Sequence, residues 1–273
     1  MKEFIQKHKL FSFYTALMLV IVFIAIFAPW LAPGDAFTSD MSKALQAPSA
    51  QHWFGTDKLG RDVLSRIIYG TQLSLFMGVS IVVIMVSIGT VIGAVAGYFG
   101  GKVEMVLMRL ADIMLSFPGV VLAIAIAGIL GGSIVNTILA LSVVGWAKYA
   151  RLVRSMTLKV RGEEYVTAAV MMGASTWTIL RRHIIPNILP LVVTTGALDI
   201  GAIMIEVAGL SFLGFGAQPP TPEWGLMLNE GRQYIQTAPW LMIFPGMSIL
   251  IVVAVFNLWS DSLRDVVDPK NQG

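Results

Sequence analysis

Few residues in this sequence are of the types that carry out enzymatic chemistry. Its 273 residues include no cysteine and three histidines, His8, His52 and His183. The sequence has no G-x-x-x-x-G-K-[ST] phosphate loop and no H-E-x-x-H zinc motif, and residues 209–214 have the wrong spacing for a G-x-S-x-G nucleophile elbow. We therefore expect no enzymatic activity, no ATP site and no cofactor in this chain.

Three acidic side chains in or near strongly apolar segments are the remaining candidates for a functional site. A charge at the centre of a bilayer costs roughly 3 kcal/mol on insertion scales, so it usually faces a bundle interior or water. Asp199 and Glu206 are seven residues apart and would share one face of a helix, which makes them a candidate lining of a translocation pathway. A purely structural role for this pair stays open. We interpret Asp112 as the structural partner of a basic group near the inner interface.

Helices that cross a membrane must hold these charges. Hydrophobic residues make up 56% of the sequence and charged residues 13%, whereas soluble domains carry roughly 25% charged residues. A run of about 20 apolar residues is long enough to cross the hydrocarbon core of a bilayer. The sequence predicts an all-α polytopic membrane protein with six transmembrane helices, near residues 11–31, 73–98, 108–130, 134–150, 188–212 and 241–260.

The distribution of lysine and arginine indicates how these helices are oriented. With the N-terminus inside, the inner segments carry fourteen of the nineteen basic residues, as the positive-inside rule requires. The net charge of +3 follows this topology, so we expect no nucleic-acid partner. The predicted layout is a cytoplasmic N-terminus (1–10), a first transmembrane helix (11–31), an extracytoplasmic loop with an interfacial helix (32–72), a five-helix core (73–260) that includes a cytoplasmic loop (151–187) and an extracytoplasmic loop (213–240), and a cytoplasmic C-terminus (261–273).

The cytoplasmic loop carries signals for two short helices. Glu164 suits the first turn of one helix and Gly173 suits its end, while Ser175 can cap a second helix that Pro186 would end. The loop also holds more apolar residues than a solvated loop requires. Either these residues pack under the bundle, or a short helix around residues 173–175 docks into a groove of a soluble partner.

Two further patterns concern the positions of helices. Residues 62–70 place Val63 and Ile67 on an apolar stripe with Arg66 elsewhere, which predicts an amphipathic helix in the outer interface. Glycines at positions 93, 97 and 101 form a small-residue stripe that predicts close packing of the second transmembrane helix against a neighbour.

The cytoplasmic loop resembles the EAA loop of ABC-importer permeases, in the form found in the dipeptide, oligopeptide and nickel branch. The similar segments are EYVTAAVMMG at residues 164–173 and HIIPN at residues 183–187. The residues that anchor the resemblance are Ala168, Ala169, Gly173 and Pro186. The sequence departs from the general pattern at Thr167, where the name-giving Glu would stand, and at His183 and Ile185.

Other segments resemble signatures of the same branch, in the same order along the chain. They are FGTDKLGRD at 54–62, LSFLGFG at 210–216 with QPPTPEWG at 218–225, APW at 238–240 with FPG at 244–246, and LRD at 263–265 with DP at 268–269. The resemblance therefore covers nearly the whole chain.

The resemblance implies a type I ABC-importer permease fold and a set of partners. These are a homologous second permease, two cytoplasmic ABC ATPases, an extracytoplasmic substrate-binding protein and the lipid bilayer of the cytoplasmic membrane. Energy would then arrive through the cytoplasmic loop. The residues expected to couple the permease to the ATPases are Glu164, Thr167, Ala168, Ala169, Gly173, Ala174, Ser175 and Pro186.

The cargo is the least determined part of the prediction. Residues 198–201 and 232–237 are most similar to nickel-type permeases, whereas Glu206 and residues 218–222 are most similar to dipeptide permeases. Import of nickel or a metal chelate is the first expectation and import of di- or oligopeptides is the alternative. A secondary transporter or channel is the remote alternative. The fifteen methionines are scattered, and we interpret them as apolar filler, so any metal ligands in this chain stay unknown.

Overall fold

The computed structural model describes residues 9–267, and helices make up almost all of the regular structure in this range. The all-α architecture is confirmed. In chain order the main helices are α1 (Lys9–Ile26), α2 (Val63–Phe99), α3 (Gly101–Ser116), α4 (Gly119–Leu130), α5 (Ile134–Arg161), α6 (Glu164–Met171), α7 (Thr176–Phe212), α8 (Trp224–Gly231) and α9 (Trp240–Val267). The ends of the predicted cytoplasmic termini, residues 1–8 and 268–273, lie outside the described residues.

Fewer helices than expected are long and apolar enough to cross a membrane. Within residues 9–267 these are α1, α2, α7 and α9, with α3 and α4 together as a fifth candidate. The count of six transmembrane helices is therefore not confirmed. The predicted span at 134–150 lies within α5, which continues to Lys159 and Arg161 and is not among the candidates.

The predicted span at 108–130 is two helices that meet at an angle of 91°. Phe117 separates them and has an extended backbone with ψ 148°. The next residue is Pro118, whose ring disfavours a helical conformation at the residue before it. The break is therefore a local consequence of the proline.

The chain divides into two compact units. The first contains residues up to Ser80, residues Ala127–Ile138 and residues from Leu198 onward. The second contains Ile81–Ile126 and Leu139–Ala197. In the first unit, α9 packs against α1 and α8. The core of that unit includes Val63, Ile67, Trp224, Met227, Leu241 and Phe256.

Glycines of α2 allow close packing against α5 in the second unit. A Cβ on Gly93 would lie 2.5 Å from the carbonyl oxygen of Ala150, and one on Gly97 would lie 2.7 Å from the Cβ of Thr157. Gly89 belongs to the same contact. The expected stripe is thus shifted by four residues, because Gly101 lies beyond the end of α2 and a Cβ there would meet no atom within 4 Å.

The interfacial helix expected at residues 62–70 does not form as a separate element. These residues lead directly into α2, which runs without a break from Val63 to Phe99. Arg66 is 1% exposed instead of lying on a solvated face. The reason is a buried ion cluster, described below, that contacts this end of α2.

Candidate functional site

The loop predicted to be cytoplasmic forms the expected helical hairpin, and Gly173 ends its first helix. Gly173 has a φ of +81°, a conformation that glycine adopts without steric cost. Its N–H donates to the carbonyl of Val170 at 2.9 Å, and the N–H of Ala174 donates to the carbonyl of Ala169 at 3.1 Å. This pair of bonds is a Schellman motif, which satisfies carbonyls that the end of a helix leaves without partners.

The second helix of the hairpin begins where expected but does not end at Pro186. The hydroxyl of Ser175 accepts a hydrogen bond from the N–H of Thr178 at 3.3 Å and caps α7. A π-helical turn at Leu180–Ile184 follows, and the N–H of Ile185 donates to the carbonyl of Leu180. This π-helical turn lies directly before Pro186, which has no backbone N–H to donate to the helix. The helix continues past the proline, so the hairpin and the predicted fifth span share one helix.

The apolar residues of the hairpin divide into two groups. One group is packed against other helices, and the other is exposed and available to a partner. One group is buried in the second unit: Val166, Ala169, Ile179, Leu180 and Ile184. The other group is exposed and forms a surface that we call the hairpin tip: Tyr165, Val170, Met171, Met172 and Trp177. Met171 and Met172 are 83% and 82% exposed.

The predicted coupling residues lie around this surface. Those exposed are Glu164, Thr167, Ala168, Gly173, Ser175 and Pro186, while Ala174 is half-buried and Ala169 is buried. The structure thus brings them together on one hairpin.

The two acidic residues proposed for the pathway lie on α7 in the first unit. Asp199 and Glu206 are each partly exposed, and the helix between them is regular, so they share a face. Nearby, a Cβ on Gly201 would lie 2.4 Å from Oδ1 of Asn257 in α9. Glycine therefore permits a close approach of α7 and α9 beside the acidic pair.

Asp112 pairs with a basic group, as expected of a structural partner. Oδ1 of Asp112 accepts a hydrogen bond from Nη2 of Arg151 at 2.5 Å. A second pair joins the same two helices, since Nε of Arg154 donates to Glu104 at 2.7 Å. Both pairs are partly exposed and connect α3 with α5.

Sequence reasoning missed a buried ion cluster that involves the signature at residues 54–62. Arg61 and Arg66 are each 1% exposed. Arg61 donates to Asp57 at 2.7 Å and to Glu230 at 3.3 Å, and Arg66 donates to Glu230 at 2.9 Å. A buried charge without a partner is strongly destabilising, so these contacts hold α8 to the start of α2.

Sequence reasoning also missed Glu223, which begins α8. Its carboxylate accepts hydrogen bonds from the N–H groups of Gly225 and Leu226 at 2.9 and 2.8 Å, and from the hydroxyl of Ser74 at 3.3 Å. Burial raises the pKa of the Glu223 carboxyl, and these hydrogen bonds act in the opposite direction. The available signal was an acid directly before an apolar run and after a proline-rich stretch.

The fold and the hairpin define a membrane permease of the ABC-importer type. The solved structure titled "Inward facing conformations of the MetNI methionine ABC transporter" shares this fold, with a TM-score of 0.53 and 20% identity, over 71% of this chain and 95% of that one. Residues 89–273 match the family described as "Binding-protein-dependent transport system inner membrane component". Residues 5–48 match the "N-terminal TM domain of oligopeptide transport permease C".

Curated relatives are similar over nearly the full chain. The dipeptide transport system permease protein DppC of Alkalihalophilus pseudofirmus is 45% identical over 97% of this chain and 88% of its own length. The probable D,D-dipeptide permease DdpC of Escherichia coli K12 is 42% identical over 94% of this chain and 86% of its own. The glutathione permease GsiD of E. coli O6:K15:H31 is 44% identical over 100% of this chain and 90% of its own.

The chain therefore belongs to the family of binding-protein-dependent transport system inner membrane components. It is a multi-pass permease subunit of an ABC importer in the inner membrane, and ATP hydrolysis belongs to separate subunits. Its expected partners, a second permease, ATPases and a substrate-binding protein, are those of this family.

Proposed function

We propose that this permease carries small peptides, of the size of a dipeptide or glutathione, into the cytoplasm. The observation that carries the proposal is the naming of three relatives, 42–45% identical over nearly the whole chain, as dipeptide, D,D-dipeptide and glutathione permeases. These relatives favour the peptide alternative over nickel or a metal chelate, which was the first expectation from the sequence.

The hairpin tip is the proposed point at which the ATPases act on this chain. Its exposed side chains include Met171, Met172 and Trp177, and exposed apolar patches of this kind mark contacts with other proteins. The second helix of the hairpin continues into the long apolar part of α7. A displacement of the tip would therefore be transmitted along one helix to the proposed pathway residues.

Asp199 and Glu206 are proposed to line the pathway. Support comes from their shared face and partial exposure on an otherwise apolar helix. We further propose that both termini lie in the cytoplasm, which places the hairpin tip on the side of the ATPases. The basic C-terminal half of α5 supports this orientation.

The test of cargo is uptake by cells that lack this permease and carry it again on a plasmid. Labelled dipeptide and labelled nickel are supplied separately, with a normal or a non-hydrolysing ATPase partner. We expect dipeptide uptake to require both the permease and ATP hydrolysis, and nickel uptake to be unchanged. Loss of nickel uptake alone would overturn the peptide assignment.

A variant tests the pathway residues in the same cells. Replacing Asp199 with Asn and Glu206 with Gln should lower dipeptide uptake about tenfold, the effect of roughly 1.4 kcal/mol on the barrier, while the membrane level of the protein stays normal. Asp261→Asn is the matched control, because Asp261 is an exposed acid on α9. Normal uptake by the double variant would exclude the pathway role.

A further inference from the structure

A cleft in the second unit has charged groups of both signs along its wall. Its volume is about 580 Å³, and it is lined by Gly101, Glu104, Met105, Met108, Asp112, Arg151 and Arg154. The four charged residues are those of the two ion pairs that join α3 to α5. The cleft contains two carboxylates and two guanidinium groups, so its lining is electrically balanced.

The two ion pairs diverge from one turn of α5 to two separate turns of α3. Arg151 and Arg154 are three residues apart and lie on one face. Glu104 and Asp112 are eight residues apart, which corresponds to about 12 Å along the helix. Met108 lies midway between the two acids and lines the cleft. Each end of the cleft thus has one acid and one base, with an apolar side chain between them.

This arrangement matches the chemistry of a short zwitterionic peptide. The ends of an extended dipeptide are about 7 Å apart at most. The two ends of such a peptide carry opposite charges, so they need a guanidinium group at one end of the cleft and a carboxylate at the other. Because Arg151 and Glu104 belong to different ion pairs of the cleft, Arg151 could accept the carboxylate group and Glu104 the ammonium group.

The ion pairs can open at little cost, which a transient site needs. The side chains of Asp112 and Arg151 are 45% and 53% exposed, and pairs at such exposure contribute little to stability. A peptide carboxylate could replace Asp112 on the Arg151 guanidinium, and the freed Asp112, which is 45% exposed, would be solvated by water.

We propose that this cleft is a binding site for the charged termini of the transported peptide on the cytoplasmic side. The proposal rests on the peptide cargo proposed above. Within it, Arg151 contacts the carboxylate group of the peptide and Glu104 contacts its ammonium group, while Met105 and Met108 contact its side chains.

The test is photo-crosslinking on the intact transporter complex in lipid nanodiscs. The probe is a dipeptide of alanine and photoreactive leucine, and crosslinks are mapped by mass spectrometry. We expect crosslinks at Met105 or Met108, and lower yields when the probe is acetylated at its N-terminus or amidated at its C-terminus. Arg151→Gln should lower the yield about tenfold, the effect of losing one charge-assisted hydrogen bond.

Control variants separate this role from a structural one. Arg109→Gln removes an exposed cation of α3 that does not line the cleft, and its crosslinking should be normal. Arg151→Lys keeps the charge and should retain most of the yield. Stimulation of the ATPases by the binding protein should persist in Arg151→Gln, which shows that the complex is assembled.

The following results would overturn the proposal. Crosslinks that map only elsewhere in the permease would exclude the cleft. Crosslinking at the cleft by a photoreactive phosphatidylethanolamine that unlabelled dipeptide does not displace would assign it to lipid. Dipeptide uptake in cells is measured in parallel: uptake that needs the permease without cleft crosslinks refutes only this inference, whereas uptake independent of the permease refutes the proposed cargo.

Discussion

Gly173 combines a constrained backbone with open space around it. Its φ is +81°, and a Cβ built on it meets no atom within 4 Å. Packing within this chain therefore does not demand glycine there. Asn tolerates the left-handed conformation better than other side chains, so it can test whether a partner approaches this position closely.

We expect Gly173→Asn to reach the membrane at a normal level and to lower dipeptide uptake at least about tenfold, since a contact worth 1.4 kcal/mol corresponds to that factor. Gly214→Asn is the matched control. Gly214 ends α7 in the same Schellman geometry, with a φ of +93° and no atom within 4 Å of a Cβ. Full uptake by the Gly173 variant would show that the glycine serves only the turn.

Glu223 should make stability depend on pH. Because its pKa is raised in the folded state, that state binds the proton more tightly than the unfolded chain does. The free energy of unfolding is then highest at low pH and falls as pH rises above the ordinary value of 4.5. Each kcal/mol of this loss lowers Tm by roughly 2–4 °C in a chain of this size.

The measurement is tryptophan fluorescence of the purified complex during heating, between pH 5 and pH 8. Glu223→Gln is neutral throughout this range, so its Tm should fall less steeply than that of the unsubstituted protein. The pair of His52 and Asp62, 2.9 Å apart, is the same in both proteins and cancels in the comparison. Identical slopes would show that Glu223 does not contribute.

At the scale of helices, the contact between α2 and α5 leaves no room for a methyl group. A Cβ on Gly93 would lie 2.5 Å from a backbone oxygen and 2.7 Å from the Cβ of Val153. Forcing extra atoms into a packed contact usually costs about 1–3 kcal/mol. Gly93→Ala should therefore unfold at lower denaturant concentration in detergent.

Gly209→Ala is the control for this substitution. Gly209 also lies inside a helix, and a Cβ there would meet no atom within 4 Å. Alanine is the better helix former, so this variant should be as stable as the unsubstituted protein or more so. Equal stability of both variants would mean that the contact between α2 and α5 accommodates a methyl group without cost.

The elements that the sequence predicts well are those with local causes. The end of α6 at Gly173 and the cap at Ser175 each depend on residues within one turn. The break at Pro118 also has a local cause, although residues 108–130 were expected to form one span. By contrast, the burial of Arg66 depends on Glu230, which is 164 residues away in sequence, and no local pattern reports such a contact.

The same distinction applies to the candidate site. The resemblance to the EAA loop identified the hairpin, and alternating burial then separated the hairpin tip from the packed residues. Asp112 was expected to pair with a basic group, but its partner on α5, Arg151, was found only in the structure. The π-helical turn was missed because proline normally indicates the end of a helix, not a widened turn that accommodates it.

For the whole molecule, the number of membrane crossings determines on which side of the membrane each end of the chain lies. An even number places both ends of the chain on one side, whereas an odd number separates them. The count depends on whether α5 crosses the membrane and on whether the bent pair of α3 and α4 crosses it as one span.

Reporter fusions decide this point. Green fluorescent protein fused after residue 273 should fluoresce, because it folds in the cytoplasm. Alkaline phosphatase inserted in residues 232–237 should be active, because it needs the extracytoplasmic side. An inactive phosphatase at 232–237, or a dark C-terminal fusion at normal protein level, would contradict the proposed orientation.

The ion cluster also constrains the order in which the chain can be assembled during synthesis. Arg61 and Arg66 emerge from the ribosome long before Glu230, which is 169 residues after Arg61. Until α8 has been synthesised and has packed, these two buried guanidinium groups remain without one of their carboxylates. This part of the first unit is therefore completed late in biogenesis. A chain truncated before α8 would leave Arg61 and Arg66 to share the carboxylate of Asp57 without that of Glu230, so this end of α2 would lack the contact that holds it to α8.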